Sequence, residues 1–276
     1  MTDNKQLSYE EFRTLSNIGY AEDFIHIHQE KMDITGGVVS ISEIDKLDDF
    51  SDISKVRISG LKQRTFEYFI SKYGERLCYI DFWKNKFIED FSCLGNYPNF
   101  KYISFFHNQR ATNLWDMSKN TNLTGLVLND FTRLKKLDGI ETAPSLKYLV
   151  FGDAIWNKNT LSDIEVLKKS KIEAFSFGAK EIENIDILDF AKIKNLKIVN
   201  FRTNLFTTEE VAKLVAIAPH LEGYCLRPWI KFDNTQLKKD VIIVGKGKKW
   251  MDSVKDKEKI EKYEKEFYEL VKKYQK

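Results

Sequence analysis

Phe100-Lys-Tyr-Ile103-Ser-Phe105, Leu123-Thr-Gly-Leu126-Val-Leu128 and Leu146-Lys-Tyr-Leu149-Val-Phe151 repeat the pattern L-x-x-L-x-L at a constant step of 23 residues. A fixed period in the twenties implies one strand and one return per unit, because a single unit cannot bury its own apolar face and must stack on the next. Extending the frame outward adds Ile53-x-x-Val56-x-Ile58, Leu77-x-x-Ile80-x-Phe82, Ile172-x-x-Phe175-x-Phe177, Leu196-x-x-Val199-x-Phe201 and Leu221-x-x-Tyr224-x-Leu226. Successive starts then step by 24, 23, 23, 23, 26, 24 and 25 residues. The expected fold class is α/β: a curved solenoid of about eight repeats over residues 53 to 230, whose parallel strands form a concave sheet.

Composition narrows the class. Of the 276 residues 42% are hydrophobic, yet no apolar run approaches the roughly 18 residues of a membrane-spanning helix. The start, Met1-Thr-Asp-Asn-Lys-Gln, has neither the basic opening nor the apolar core of a signal peptide, so a cytoplasmic chain is expected. Cys78, Cys93 and Cys225 form an odd set without metal-binding spacing, which suits reduced, inert thiols. The net charge of +3 conceals a polarity: residues 1 to 52 carry net −8 and residues 231 to 276 carry net +5. That asymmetry can orient an encounter with a charged protein, and it is too mild to imply nucleic acid.

The flanks read as caps. In residues 1 to 52, Ser8-Tyr-Glu-Glu11 is a capping box, Leu7 is placed to staple onto Phe12, and Phe12, Leu15 and Ile18 share a helical face that Gly19 ends. Phe24-Ile-His-Ile-His28 alternates as a strand, with His26 and His28 leaving one side; no third ligand is evident, so no metal is expected. Gly36-Gly37 then breaks the chain. In residues 231 to 276, Val241 to Val244 reads as a short strand that can end the sheet. Ile260, Tyr263, Phe267, Leu270, Val271 and Tyr274 line one stripe of a helix, supported by Glu258-Lys262, Glu261-Lys265 and Glu269-Lys273 pairs. Gly245-Lys-Gly247 lacks the spacing of a phosphate loop or dinucleotide fingerprint, so no nucleotide cofactor is expected.

Between the strands, Phe87, Phe91 and Leu94, Leu134, Leu137 and Ile140, and Leu161, Ile164 and Leu167 supply apolar returns. Thr207-Thr-Glu-Glu210 is a second capping box, opening a helix that stops at Pro219. Asparagine follows the strand at Asn85, Asn108 and Asn204, but Leu61, Phe131, Ala154 and Lys180 stand at that position elsewhere. The whole resembles the bacterial leucine-rich repeat family, closest to internalin-type repeats. That resemblance implies a horseshoe whose concave sheet binds other proteins. The chain differs from secreted internalins in having no export signal and no wall-anchoring motif.

With the L positions inward, alternate residues face out in three columns. Tyr79, Trp83, Tyr102, Phe106 and Tyr148 then put five rings on neighbouring strands, joined by Asp81, Ser104 and Asn129 and followed by Arg202 and Arg227 at a basic end. Asp81, with Lys84, His107, Asp130 and Asp153, is expected to rim the patch with charge. Aromatics and arginine are the types enriched at interface hot spots, so these are the expected partner-binding residues. The competing reading is that a flanking segment folds over the rings. Neither flank holds a Cys/His/Asp or Ser/His/Asp set, and Cys225 is the one thiol expected on the concave face. The chain is therefore expected to be a non-catalytic binding module for another protein, such as an immunity or inhibitor-type partner of a toxin enzyme. The alternatives are the recognition part of an enzyme or effector system and, more weakly, a single-strand nucleic-acid binder using the basic C-terminal segment.

Overall fold

The computed structural model describes residues 6–18, 24–30, 37–156, 158–232 and 239–275, and of residues 14–18 only the backbone. Gly19, Gly36 and the side chains of Leu15 and Ile18 lie outside the described residues. The fold is mixed α/β. An eight-stranded sheet takes β1 (Ile25–Ile27), β2 (Lys55–Ser59), β3 (Tyr79–Trp83), β4 (Tyr102–Asn108), β5 (Gly125–Phe131), β6 (Tyr148–Gly152), β8 (Ala174–Gly178) and β10 (Ile198–Phe201) in that order. Every pairing is parallel. Two short strands, β7 (Thr160–Leu161) and β9 (Glu181–Ile182), pair beside it.

Register follows the sequence period. Ile58, Phe82, Phe105, Leu128, Phe151, Phe177 and Phe201 lie side by side, as do Val56, Ile80, Ile103, Leu126, Leu149, Phe175 and Val199. All are buried in one core between the sheet and the return segments. Full burial of such a side chain contributes about 1.5–3 kcal/mol, so a one-residue slip would forfeit a whole row. Phe82 and Phe105 stack at 4.7 Å.

The returns are α3 (Gln63–Tyr73), preceded by α1 (Tyr9–Ile18) and α2 (Ile41–Asp45) in the N-terminal part, then 3-10 turns, and finally α4 (Thr208–Ile217). Phe66, Phe69, Ile70 and Tyr73 give α3 its buried stripe. Asparagines close the turns: Asn85 Oδ1 accepts from Leu61 N–H at 2.8 Å, Asn108 Oδ1 from Ala111 N–H at 2.9 Å, and Asn120 Nδ2 donates to Leu94 O at 2.8 Å. The position before the strand-end asparagine has its own regularity. Gly60, Lys84, His107 and Asp130 occupy it in consecutive strands, and all four have positive φ between 56° and 79°.

Three expectations change. Leu221 to Leu226 is not a strand: Glu222 alone bridges to Ile198, and Tyr224–Leu226 tightens into a 3-10 turn. There Leu226 N–H donates to Gly223 O and the Cys225 thiol to Val199 O, so the polar groups are satisfied within the turn instead of by a ladder. The sheet's outermost strand at the other edge is β1 of the N-terminal flank. Second, β12 (Val241–Ile243) does not end the sheet but pairs antiparallel with β11 (Trp229–Lys231). Third, α5 (Lys257–Tyr274) packs on α4 through Phe267 and Val271 as its stripe requires. Its charges, however, pair as Lys257-Glu261, Lys262-Glu266 and Lys265-Glu269, while Lys273 reaches Glu209 of α4.

Candidate functional site: the outward face of the sheet

The outward face is built from the columns of residues that alternate with the core rows. Tyr79, Tyr102, Gly125 and Tyr148 are direct cross-strand neighbours. Strands lie about 4.8 Å apart, so a glycine between two tyrosines leaves a gap two strand spacings wide. Phe12 of α1 fills it. Its ring centroid is 5.6 Å from Tyr102 and 5.8 Å from Tyr148, and Phe12 is 0% exposed.

Helix α1 lies over this gap. The Ser8-Glu11 capping box forms as its sequence requires, with Ser8 N–H donating to Glu11 at 2.8 Å and Glu11 N–H to Ser8 Oγ at 3.3 Å. Leu7 N–H donates to the Tyr102 hydroxyl at 2.8 Å. Tyr9 sits 5.7 Å from the Tyr148 ring, beside Ser176 and Asn200. From the sheet's edge, Phe24 meets Tyr79 edge-on at 4.7 Å. Tyr9, Phe12, Tyr79, Tyr102, Val127 and Ala174 thus form a second, smaller apolar cluster on the face opposite the main core. The rings expected to lie open are largely covered: Tyr79 and Tyr102 are each 5% exposed and Phe106 6%. The cover is the chain's own: α1 over Tyr102, Phe24 over Tyr79, and Trp83 with Trp156 against Phe106.

A buried polar row separates these tyrosines from the remaining rings. Arg57 and Asp81 pair at 2.7 Å, and Ser104 adjoins them. Burial pushes the Asp81 carboxyl up, against the pull of the Arg57 guanidinium and the Ser104 hydroxyl. The guanidinium also lies 4.3 Å over the Trp83 ring. Trp83 stacks on Phe106 at 4.3 Å, and Phe106 on Trp156 at 6.0 Å. The five expected rings therefore form two groups instead of one continuous patch, with Trp83 partly open.

Trp156 arrives on a loop that the 26-residue step makes longer than its neighbours. Asp130 holds the loop by accepting from the N–H groups of Ala154, Ile155 and Trp156 at 3.0–3.1 Å. Asp153 accepts from Lys158 N–H and Asn159 N–H, and pairs with Arg202 at 3.3 Å. Of the expected charged rim, Asp81, His107 and Asp130 are buried, so it is in large part internal framework; Asn129 is buried as well. A cavity of about 350 Å³ opens beneath the loop, lined by Lys86, His107, Gln109, Asp130, Trp156 and Lys158 among others. Burial, with Lys86 and Lys84 nearby, holds the His107 imidazole below its ordinary range.

Arg227 is exposed, and with Arg13 and Glu10 it lines a cleft of about 470 Å³ between α1 and the last turn of the sheet. Cys225 lies inward, not on the outward face of the sheet where it was expected: burial pushes its thiol up to about 12, the reverse of what a nucleophile needs. The rings of His26 and His28 lie 5.6 Å apart, and among the described residues no three His, Cys, Asp or Glu side chains gather as a metal site. No described helix is long and apolar enough to cross a membrane.

Sequence reasoning missed Gly125, Tyr9, Arg57 and Trp156. One signal was present: a glycine in a column of tyrosines, opposite an N-terminal helix that carries a phenylalanine. A comparison with protein-family models and with curated proteins finds no match for this chain.

Proposed function

We propose that the chain is a leucine-rich repeat solenoid, a curved body whose parallel sheet lines its concave side, and that it is a non-catalytic cytoplasmic module that binds another protein. The fold reading rests on register: equivalent positions of seven successive sequence repeats pair strand to strand. The functional reading rests on one observation, a face rich in aromatic and arginine side chains on a rigid sheet, the composition of interface hot spots. An immunity or inhibitor-type role, in which the module covers an enzyme, is the concrete form of this reading.

The accessible parts of the face are Trp83, the end around Arg202 and Arg227, and the cleft beside α1. Capture from cognate lysate with the wild-type chain beside a Trp83→Ala, Arg227→Glu variant tests the proposal, after circular dichroism has verified that both fold. Loss of a specific protein from the variant alone is the expected result. A partner retained equally by both would refute the assignment to this face.

A further inference from the structure

The cavity beneath the Trp156 loop holds two polar groups that the fold leaves without partners. His107 Nδ1 and Asn159 Nδ2 are buried and have no hydrogen-bond partner within the chain, and their residues are only 6% and 2% exposed. Both side chains line the cavity. A buried polar group with its hydrogen bond unmade bears the full cost of its desolvation, so two of them around one space of about 350 Å³ call for an occupant. That volume falls within the range of small-molecule sites and far exceeds the share of a single water.

The lining sets the chemistry of the occupant. Gln109 Nε2 lies 3.0 Å from His107 Nε2, and an amide nitrogen can only donate, so Nε2 accepts and the ring proton sits on Nδ1. Nδ1 is then a donor, as Asn159 Nδ2 is. Burial, with Lys86 and Lys84 nearby, keeps the imidazole neutral at neutral pH, so it donates one proton in one direction. Lys86 and Lys158 add two positive charges to the lining, and Trp156 sets its ring 4.4 Å from that of His107. Among the described residues the one acid of the lining is Asp130, which stands beside His107 across β4 and β5 and already accepts three N–H groups of the loop. A cation would therefore meet ammonium groups and an occupied carboxylate, whereas an anion would meet free donors.

We infer that this cavity binds a small oxyanion, a carboxylate or phosphate borne by a small molecule, with His107 Nδ1–H and Asn159 Nδ2–H donating to its oxygens and Lys86 and Lys158 compensating its charge. The neutral donors fix where the oxygens sit, and the ammonium groups supply the charge-assisted attraction. The site uses none of Trp83, Arg202 or Arg227, so it stands apart from the protein-binding reading.

The test is a nuclear magnetic resonance titration of the full chain labelled with nitrogen-15 in its 4 histidines. Sodium acetate and sodium phosphate are added separately at neutral pH, with sodium chloride matched for ionic strength as the blank. The His107 ring signals should shift saturably at low millimolar concentration of at least one probe, while those of the exposed His220 stay in place. Saturation by acetate alone assigns a carboxylate ligand, and saturation by phosphate alone assigns a phosphate. Asn159→Leu and Lys158→Glu should each weaken the binding about tenfold, and Lys158 is exposed, so its replacement leaves the fold intact. No saturable shift with either probe makes water the sole occupant and overturns the inference. So does equal affinity in the wild type and both variants, or a ring proton found on Nε2 of the free protein, which would turn Nδ1 into an acceptor.

Discussion

A side chain at position 125 would stand where Phe12 now stands, and the first prediction follows from that coincidence. Gly125→Val should expel the Phe12 ring, costing about 1–3 kcal/mol in the denaturant midpoint, with Tyr102 and Tyr148 gaining solvent accessibility. Phe12→Ser in the same background should then cost almost nothing further, which a double-mutant cycle reads directly. A second residue-scale argument concerns the left-handed column. Gly60 meets that backbone demand freely, whereas Lys84, with φ 56°, does not. Non-glycine residues pay about 1–2 kcal/mol there and glycine loses 0.5–1 in chain entropy, so Lys84→Gly should raise stability by roughly 0.5 kcal/mol in urea denaturation. A third concerns His107. Its folded-state pKa lies below the ordinary value of 6.5, so between those two values the unfolded chain binds the proton more readily. Stability should therefore fall as pH drops below about 6.5, and His107→Asn, which tolerates the same backbone, should flatten that slope in denaturation curves at pH 5.5 and 7.5.

Among the elements, α5 was legible from its stripe alone, because a helix with Ile260, Tyr263, Phe267 and Val271 on one face has few ways to hide them. It hides them on α4 and β12, where the Tyr263 hydroxyl donates to Val244 O and lies 2.8 Å from Thr208 Oγ1. Phe267→Ala should cost about 3–5 kcal/mol, since its site is fully buried between two helices, and calorimetry would show it. The helix α1 was equally legible in its cap and much less so in its destination. Periodicity reports that a face must be buried and not where, and the slot that receives it is assembled from strands more than 90 residues away. The strand register could be read from the 23-residue step because each slip would turn a full apolar row to water. At Leu221 to Leu226 the same pattern misled, since a terminal unit has no following strand to pair with and its apolar residues can turn inward by a tighter turn. The charge pairs of α5 also misled: i to i+4 partners exist in both directions along such a lysine- and glutamate-rich helix, and Lys273 is drawn to Glu209 instead.

At the scale of the molecule, one sheet runs unbroken from β1 to β10, and its contacts are made overwhelmingly between neighbouring strands. Helix α1 reaches across several strands, tying Tyr102 to Tyr148 and lying near Ser176 and Asn200. Removing residues 233–276 should loosen the end nearest α4 while leaving the first strands protected, and hydrogen exchange followed by mass spectrometry should show that gradient along the sheet instead of uniform loss. The path of α1 also has a consequence in time. The helix is synthesised before its seat, which is complete only when Tyr148 and the strands beyond it have followed. At about 5–20 residues per second, that interval is on the order of ten seconds. A helix made ahead of its seat thus settles late, and the nascent chain passes through a period in which its aromatic face is open to whatever meets it first.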